Sequence, residues 1–170
     1  MKRLLWSAIL AALIVTPCTA RSAATPVSAY GVGPQGFDWV VGKWACVNNI
    51  PSHVGGPVST TTTVTRSSSG GVFYHSTGVN FDSSWYGVYV PKTKSWVSPF
   101  IAADGTYGTE STAMTGKTIV WTGSFVDPSS GKTTPIRDTN VNSASKFTDL
   151  GEFQIGGAWK AQYKITCTRQ

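Results

Sequence analysis

From Phe37 onward the sequence alternates apolar and polar residues, and turn signals interrupt the alternation at near-regular intervals. The segments between the turns are rich in Thr, Val, Tyr and Trp, which favour strands, and none has a helical apolar period of useful length. The strand candidates fall at 43–49, 58–66, 71–79, 84–90, 95–102, 106–113, 117–125, 132–138, 145–154 and 158–169. Short strands joined mostly by tight turns predict an all-β domain over residues 37–170, a closed or nearly closed antiparallel up-and-down barrel of about ten strands.

The first part of the chain has the features of a secretory signal peptide. Two basic residues precede an apolar run over residues 4–15, and small residues follow it. The run is shorter than the ~20 apolar residues of a membrane-spanning helix, and no second run follows, so we expect no transmembrane helix in the mature chain. Residues 1–20 therefore predict a secreted or periplasmic protein. Residues 21–36 are small and rich in Pro and Gly, and they predict a flexible N-terminal segment.

The processing of this segment has alternatives. Small residues one and three positions before the cut favour cleavage after Ala20, with Ala24 as the second candidate. Cys18 could instead be acylated, as in a bacterial lipoprotein. Because Thr16 and Pro17 depart from the Leu-x-Gly/Ala-Cys pattern of such signals, cleavage without lipidation is the prediction.

Two cysteines survive the removal of residues 1–20, Cys46 in the first strand and Cys167 in the last. In an oxidising compartment such an isolated pair predicts a disulfide. A metal site would need more ligands, and a redox pair would need Cys-x-x-Cys spacing. Direct pairing places position 43 opposite 170 and 49 opposite 164, and it turns the apolar residues of both strands to the same side. The pair would thus close the barrel and remove its exposed edges.

The distribution of charge argues against one class of partner. Removing residues 1–20 takes away two basic residues and lowers the formal charge from +6 to +4. The remaining Lys and Arg residues are scattered singly, so we expect no binding to nucleic acid. The length fits one domain, and we expect a monomer.

Hairpin register predicts which side chains line the interior. A four-residue loop at 67–70 places Thr62 opposite His75 and turns His75 inward. The following turns, including one at 82–83, place on the same face the aromatic residues Tyr89, Trp96, Tyr107, Trp121, Trp159 and Tyr163. Glu110 falls on the outer face. A mainly aromatic interior is typical of a small-molecule site, although the same rings could simply fill the barrel.

Arg137 and Asp149 form the best polar pair of the predicted interior. Across the hairpin between the eighth and ninth strands, they fall opposite each other. Arg137 could then hold a carboxylate or phosphate bidentately while Asp149 positions it. A cross-strand ion pair that satisfies two inward charges is the alternative interpretation.

The histidines and the known motifs give no catalytic prediction. His75 could be a ligand or a proton carrier, or a satisfied rim histidine, and His53 is interpreted as an exposed loop residue without a role. The sequence has no Gly-x-Ser-x-Gly elbow, no metal-ligand cluster and no phosphate-binding glycine loop. The candidate ligand-binding residues are His75, Tyr89, Trp96, Tyr107, Trp121, Arg137 and Asp149.

The predicted barrel begins with the segment Phe37-Asp-Trp-Val-Val-Gly-Lys-Trp44, continues as a meander and ends in a closing strand with Trp159 and Cys167. In these features the chain resembles secreted bacterial lipocalin-like barrels of calycin type, a group of unknown function. The segments around 85–89, 104–105 and 121–123 are similar to that group as well. The resemblance implies that residues 37–42 form a short 3₁₀-like turn that covers one end of the barrel, with Trp39 and Trp44 packed inward.

Haem-binding nitrobindins share the Gly-x-Trp start of this segment. Their pattern continues Gly-x-Trp-x-Gly-x-Gly, and Gly42-Lys-Trp44-Ala-Cys46 departs from it at both later glycines. The last strand also lacks the histidine that binds haem in nitrobindins. We therefore expect neither haem nor another cofactor.

These features favour a secreted lipocalin-like barrel that binds a small hydrophobic or amphipathic molecule. One alternative is an enzyme that uses His75, Tyr89, Arg137 or Asp149 in the same interior. Another is a filled barrel that acts through its outer face as an envelope interaction module.

Overall fold

The computed structural model describes residues 35–50, 56–102, 104–113 and 116–170. The predicted signal peptide, Cys18, Ala24, His53 and most of the predicted flexible segment lie outside the described residues. Among the described residues, no helix has the length and apolar character needed to span a membrane.

A 3₁₀ helix, Gln35–Val40, precedes ten antiparallel strands; we name it the plug helix. The strands are β1 Gly42–Asn49, β2 Val58–Arg66, β3 Val72–Gly78, β4 Phe81–Val90, β5 Ser95–Ala102, β6 Tyr107–Thr112, β7 Thr118–Val126, β8 Thr133–Asn142, β9 Lys146–Ile155 and β10 Ala158–Arg169. Each strand pairs with its sequence neighbour, and β10 pairs with β1 to close the barrel. The predicted all-β, up-and-down barrel is confirmed.

The pairing of β1 with β10, which we name the seam, has the predicted register. Cys46 lies opposite Cys167 and Asn49 lies opposite Lys164. The two cysteines form a disulfide, and their Cα atoms are 4.1 Å apart. This is close to the spacing of directly opposed residues that do not exchange backbone hydrogen bonds, so the side chains can be linked without moving the strands. Both cysteines are buried and face the interior.

The plug helix covers the end of the barrel at which β1 begins. Phe37 and Val40 are buried beneath the strands, and Trp44 Nε1 donates a hydrogen bond of 2.7 Å to the Val40 carbonyl. Arg169, near the end of β10, donates to the carbonyls of Trp39 and Val41 and lies 4.3 Å above the ring of Trp44. The short helix inferred from the resemblance is therefore present, two residues earlier than expected, with Trp39 and Trp44 packed inward.

Strand β4 starts earlier than predicted. The turn between β3 and β4 is formed by residues 79–80, whereas residues 82–83 belong to β4. Asn80 adopts a φ of 55°, a left-handed conformation that Asn tolerates better than most residues.

Strand β8 continues beyond the predicted turn, because its asparagines find partners inside the barrel. Asn140 accepts a hydrogen bond of 2.9 Å from Trp121 Nε1. The backbone N–H of Asn142 donates to the Lys117 carbonyl at 2.7 Å. The turn therefore lies at 143–145.

Removing the disulfide is expected to destabilise the barrel without changing its topology. The bond spans 121 residues of sequence, for which the loop-entropy model gives about 4 to 5 kcal/mol as an upper value. A Cys46→Ser/Cys167→Ser variant should lose most of this free energy of unfolding in a denaturant titration. A reductant should destabilise the native protein by a similar amount and leave the variant unchanged. A variant as stable as the oxidised protein would contradict this role.

Candidate functional site

The structure places His75 on the outer face of the barrel. The loop between β2 and β3 has five residues, 67–71, instead of the expected four, so His75 lies opposite Thr63 and not Thr62. This shift of one residue reverses the direction of every side chain in β3. His75 Nε2 lies 3.1 Å from Asp82 Oδ1 on the exposed surface. The predicted inward orientation of His75 is wrong, and Tyr74 and Ser76 face the interior instead.

Arg137 also lies outside. It is paired with Glu152 across β8 and β9, whereas Asp149 lies opposite Asn140. Arg137 Nε donates to Glu152 Oε2 at 2.9 Å, and its guanidinium lies 4.7 Å from the ring centroid of Trp159. The predicted inward pair of Arg137 and Asp149 is therefore wrong. The displaced β8–β9 turn explains the change, because it shifts the register by an odd number of residues.

Trp159 was expected inside and lies outside for a different reason. The pairing of β9 and β10 shifts by one residue between Ala161 and Tyr163, which is the signature of a β-bulge. Tyr163, Ile165 and Cys167 face inward beyond the bulge, as predicted. Trp159, before the bulge, faces outward.

Strand β6 is reversed relative to the prediction. Tyr107 is 51 % exposed on the outer face, whereas Glu110 is 3 % exposed and faces inward. Tyr107 is the only large apolar residue of this strand. An assignment based on hydrophobicity therefore turns Tyr107 inward, which is the wrong face. The remaining residues of β6 are Gly, Thr, Ser and Glu, which carry little hydrophobic signal.

Four of the seven candidate residues face inward, at two levels of the barrel. Tyr89 and Trp96 pack near the plug helix, with ring centroids 5.7 Å apart and Phe37 4.6 Å from Trp96. Trp121 and Asp149 line an internal cavity. The ligand-binding role assigned to the seven residues stays a prediction, and for His75, Tyr107 and Arg137 it cannot involve the interior.

The cavity has a volume of about 370 Å³ and extends from the plug helix to the hairpin turns at the opposite end of the barrel. Trp39 and Phe147 line it next to the plug helix, and Asp104 and Thr106 line it at the turn between β5 and β6. Its aromatic lining residues are Phe37, Trp39, Tyr74, Phe81, Trp85, Phe100, Trp121, Phe125, Phe147, Phe153 and Tyr163. The aromatic rings therefore surround a space.

Three carboxylic acids are buried at this interior, and we name them the acidic cluster: Glu110, Asp138 and Asp149. Asp138 and Asp149 are each 1 % exposed and line the cavity. Tyr163, on β10, donates a hydrogen bond of 2.6 Å to Asp138 Oδ1 on β8. Its ring crosses the intervening strand at Gly151, where a Cβ atom would overlap it. Glycine is therefore required for this contact.

Burial dominates the proton affinity of the acidic cluster. Desolvation, followed by the charge of Asp138 and a hydrogen bond with it, raises the pKa of Glu110 to about 10. Burial raises the pKa of Asp138 to about 6, and hydrogen bonds from Tyr163 and Glu110 limit the increase. Burial and the charge of Asp138 raise the pKa of Asp149 well above its usual range. Burial next to Asp138 therefore favours the protonated form of Glu110.

Asp149 is the least satisfied member of the acidic cluster. Neither of its carboxyl oxygens has a partner at full hydrogen-bond geometry among the described residues. The facing Asn140 side chain is the one group that acts as a donor to Asp149 and lowers its pKa, and burial and the charge of Asp138 outweigh this effect. An uncompensated carboxylate in such a place costs several kcal/mol, so burial favours the protonated form of Asp149 and a positive group nearby would favour the carboxylate.

The opposite wall of the cavity, formed by β1, β2 and β3, has polar groups that satisfy one another. Asn48 Nδ2 donates to Thr60 Oγ1 at 2.9 Å and to the Val58 carbonyl at 3.2 Å. The hydroxyls of Thr62 and Ser76 are 2.8 Å apart. Unsatisfied polarity is therefore concentrated on the wall of β8 and β9.

The expectation that the barrel carries no haem stays a prediction. The cavity lining contains no histidine and no methionine within the described ranges, and His75 points away from it. Nor do any three His, Cys, Asp or Glu residues of the described chain have an arrangement that could hold a metal ion.

Sequence reasoning placed Glu110 outside and did not single out Asp138. The sequence contains one indication that Asp138 faces inward. Asp138 lies two residues from Ile136 in the same strand, so both side chains point to the same face, and Ile136 is buried. Val141 lies on the other face of the strand, and because it is apolar, its position suggests the opposite orientation for β8.

The raised pKa values predict that the free energy of unfolding falls as pH rises. Each acid binds its proton more tightly in the folded state, so its contribution is complete below the unfolded pKa of about 4 and is lost as pH rises through the folded pKa. That value is about 6 for Asp138 and about 10 for Glu110. We expect Asp149→Asn to reduce the stability difference between about pH 5 and about pH 8 by ~1–3 kcal/mol, measured by denaturant titration.

Asp127→Asn is the matched control for this experiment. Asp127 is exposed in the β7–β8 turn, and hydrogen bonds from Ser129 lower its pKa. It stays ionised throughout the tested range, so its replacement should leave the pH dependence unchanged. An Asp149→Asn protein with the native pH dependence would show that Asp149 carries no raised pKa.

Comparisons with known proteins give the fold. No protein-family model matches the chain, and a search of curated proteins finds no match. The crystal structure of Rv2717c from M. tuberculosis is similar, with a TM-score of 0.61 and 11 % sequence identity, over 81 % of this chain and 99 % of that chain. At such identity the likeness shows a common architecture alone. Together with the ten-stranded closure, it fits a calycin-like barrel.

Proposed function

We propose that this protein is a secreted or periplasmic binding protein that holds one small, partly apolar molecule inside its barrel. The observation that carries the proposal is the cavity of about 370 Å³, which reaches from the plug helix to the opposite turns. This volume lies within the range of small-molecule pockets, and a mainly apolar lining with a few polar groups is their usual composition.

The layering of the barrel supports a pocket more than a filled core. Phe37, Trp96 and Trp121 pack on one another next to the plug helix, with ring centroids 4.6 and 5.7 Å from Phe37. Hydrophobic packing is therefore concentrated at one end. Towards the other end, small residues such as Ser76, Ser83 and Ala102 leave the space that the cavity occupies.

The disulfide supports an oxidising compartment. Bonds of this kind persist in secreted and periplasmic proteins and are rare in the cytosol. The proposal also takes the protein to be a monomer, whose ligand is held within one chain.

Catalysis has less support than binding. The enzyme hypothesis needed His75, Tyr89, Arg137 or Asp149 in one interior site, and His75 and Arg137 are on the outer face while Tyr89 packs near the plug helix. Asp149 is the one of these four that lines the cavity. The proposal therefore assigns no catalytic residue.

A large side chain introduced into the cavity should weaken binding. Ser83 lines the cavity, whereas its neighbour Ser84 faces outward, opposite Ile101. We expect Ser83→Trp to weaken the binding of N-phenylnaphthylamine, an apolar fluorescent probe that is uncharged at neutral pH, by about tenfold or more. Ser84→Trp introduces the same side chain on the other face and should bind as the native protein does.

Native mass spectrometry of the protein purified from the periplasm gives a second measurement. A retained small molecule that is lost in Ser83→Trp and kept in Ser84→Trp would support the proposal. A native protein that neither retains a molecule nor binds the probe would refute it.

A further inference from the structure

The charged residues that line the cavity are all acidic. Asp104, Asp138 and Asp149 belong to the lining, and no Lys, Arg or His does so within the described residues. This composition contrasts with the whole chain, whose formal charge is +6. A concave surface with one sign of charge concentrates its field and attracts the opposite charge.

The acidic cluster is also short of hydrogen-bond donors at Asp149. Neither oxygen of Asp149 accepts a hydrogen bond of full geometry within the described residues, although the residue is 1 % exposed and faces the cavity. The Asn140 side chain is the one group that acts on it as a donor. The groups that act on the cluster from neighbouring strands are Tyr163, Asn140, Glu152 and the other acids. On β3, burial and then the charge of Asp149 raise the pKa of Tyr74, and the charge of Arg66 lowers it. None of the groups that act on the three acids themselves is a cation.

Aromatic faces surround the same acids. Phe147 is two residues from Asp149 on the same face of β9, and Trp121 donates its indole N–H to Asn140, which lies opposite Asp149. A cation next to aromatic faces gains a second favourable interaction in addition to that with the carboxylate. An anion would meet repulsion, and a purely apolar molecule would leave Asp149 without a partner.

We propose that the ligand is a small organic cation, a protonated primary amine on an apolar body, whose ammonium group binds between Asp149 and Asp138. This inference rests on the function proposed above and specifies its ligand class. The apolar body packs on the aromatic lining, and the ammonium supplies the donors that Asp149 lacks. Asp104 lines the cavity at the far turn.

Binding of such a cation displaces a proton. Before binding, burial favours the protonated form of Asp149. The ammonium stabilises the carboxylate form, so the proton moves from Asp149 to solvent as the amine enters. Asp138, whose pKa is about 6, is already ionised at neutral pH. Binding therefore replaces one carboxylate and one neutral acid with one ammonium and two carboxylates. Amine affinity should therefore increase with pH until the free amine loses its own proton.

Three probes of similar size, each with a phenyl ring, test the proposal by isothermal titration calorimetry: phenethylammonium, neutral phenethyl alcohol and anionic phenylacetate. We expect the amine to bind about tenfold or more tightly than the alcohol, and phenylacetate to bind most weakly. The amine should release protons, seen as a binding enthalpy that depends on the ionisation enthalpy of the buffer. The alcohol should show no such dependence.

Asp149→Asn keeps the shape of the side chain and removes its charge. It should lower amine affinity by about tenfold or more, abolish most of the proton release and leave alcohol binding unchanged. Asp127→Asn, at an exposed turn, should bind all three probes as the native protein does. The proton release of the native protein tests the proposal independently of whether the Asp149 variant folds.

The outcomes separate the two proposals. Alcohol or phenylacetate that binds as tightly as the amine would overturn the amine proposal and leave the binding cavity intact. Amine binding that is unchanged in Asp149→Asn and releases no protons would also overturn it. Failure of all three probes overturns the amine proposal as well, and N-phenylnaphthylamine then decides whether the cavity binds small molecules at all.

Discussion

The seam between β1 and β10 is the interaction on which the rest of the structure depends. Cys46 and Cys167 fix its register covalently, and Arg169 extends it to the floor of the cavity by donating to the Trp39 and Val41 carbonyls. The guanidinium also covers the ring of Trp44. Strand β10 both closes the barrel and holds the plug helix. Barrel closure and the position of the cavity floor therefore depend on the same strand.

The seam could be predicted from the sequence, and the cavity lining could be predicted only in part. Two cysteines and clear alternation in β10 determine the pairing of the ends. In the middle of the chain, Thr- and Ser-rich strands give almost no hydrophobic preference for either face, so the turns alone decide the orientation. One additional loop residue at 67–71 therefore turned His75 outward, and the bulge near Tyr163 did the same to Trp159.

The acidic cluster was missed for a related physical reason. Hydrophobic burial is the rule by which a sequence is divided into inner and outer faces, and it assigns a carboxylate to solvent. Glu110, Asp138 and Asp149 violate that rule together, and each makes the burial of the others more costly by repulsion unless protons are bound. Strand register, and not hydrophobicity, determines that these acids face inward. Buried polar groups that break the hydrophobic rule are expected at functional sites.

The sign of the cavity charge depends on one turn. Arg137 and Asp138 are neighbours in β8, so alternation places one inside the barrel and the other outside. The turn at 143–145 selects Asp138 for the interior and leaves Arg137 to pair with Glu152 outside. Arg169 fixes that turn as well, because its Nε donates to the Ala144 carbonyl at 3.0 Å and its backbone N–H to the Ser145 carbonyl at 2.9 Å. A shift of one residue in β8 would place Arg137 in the interior instead of Asp138, next to the remaining acids Asp104 and Asp149. The end of β10 therefore contributes both to the floor of the cavity and, through this turn, to the charge of its lining.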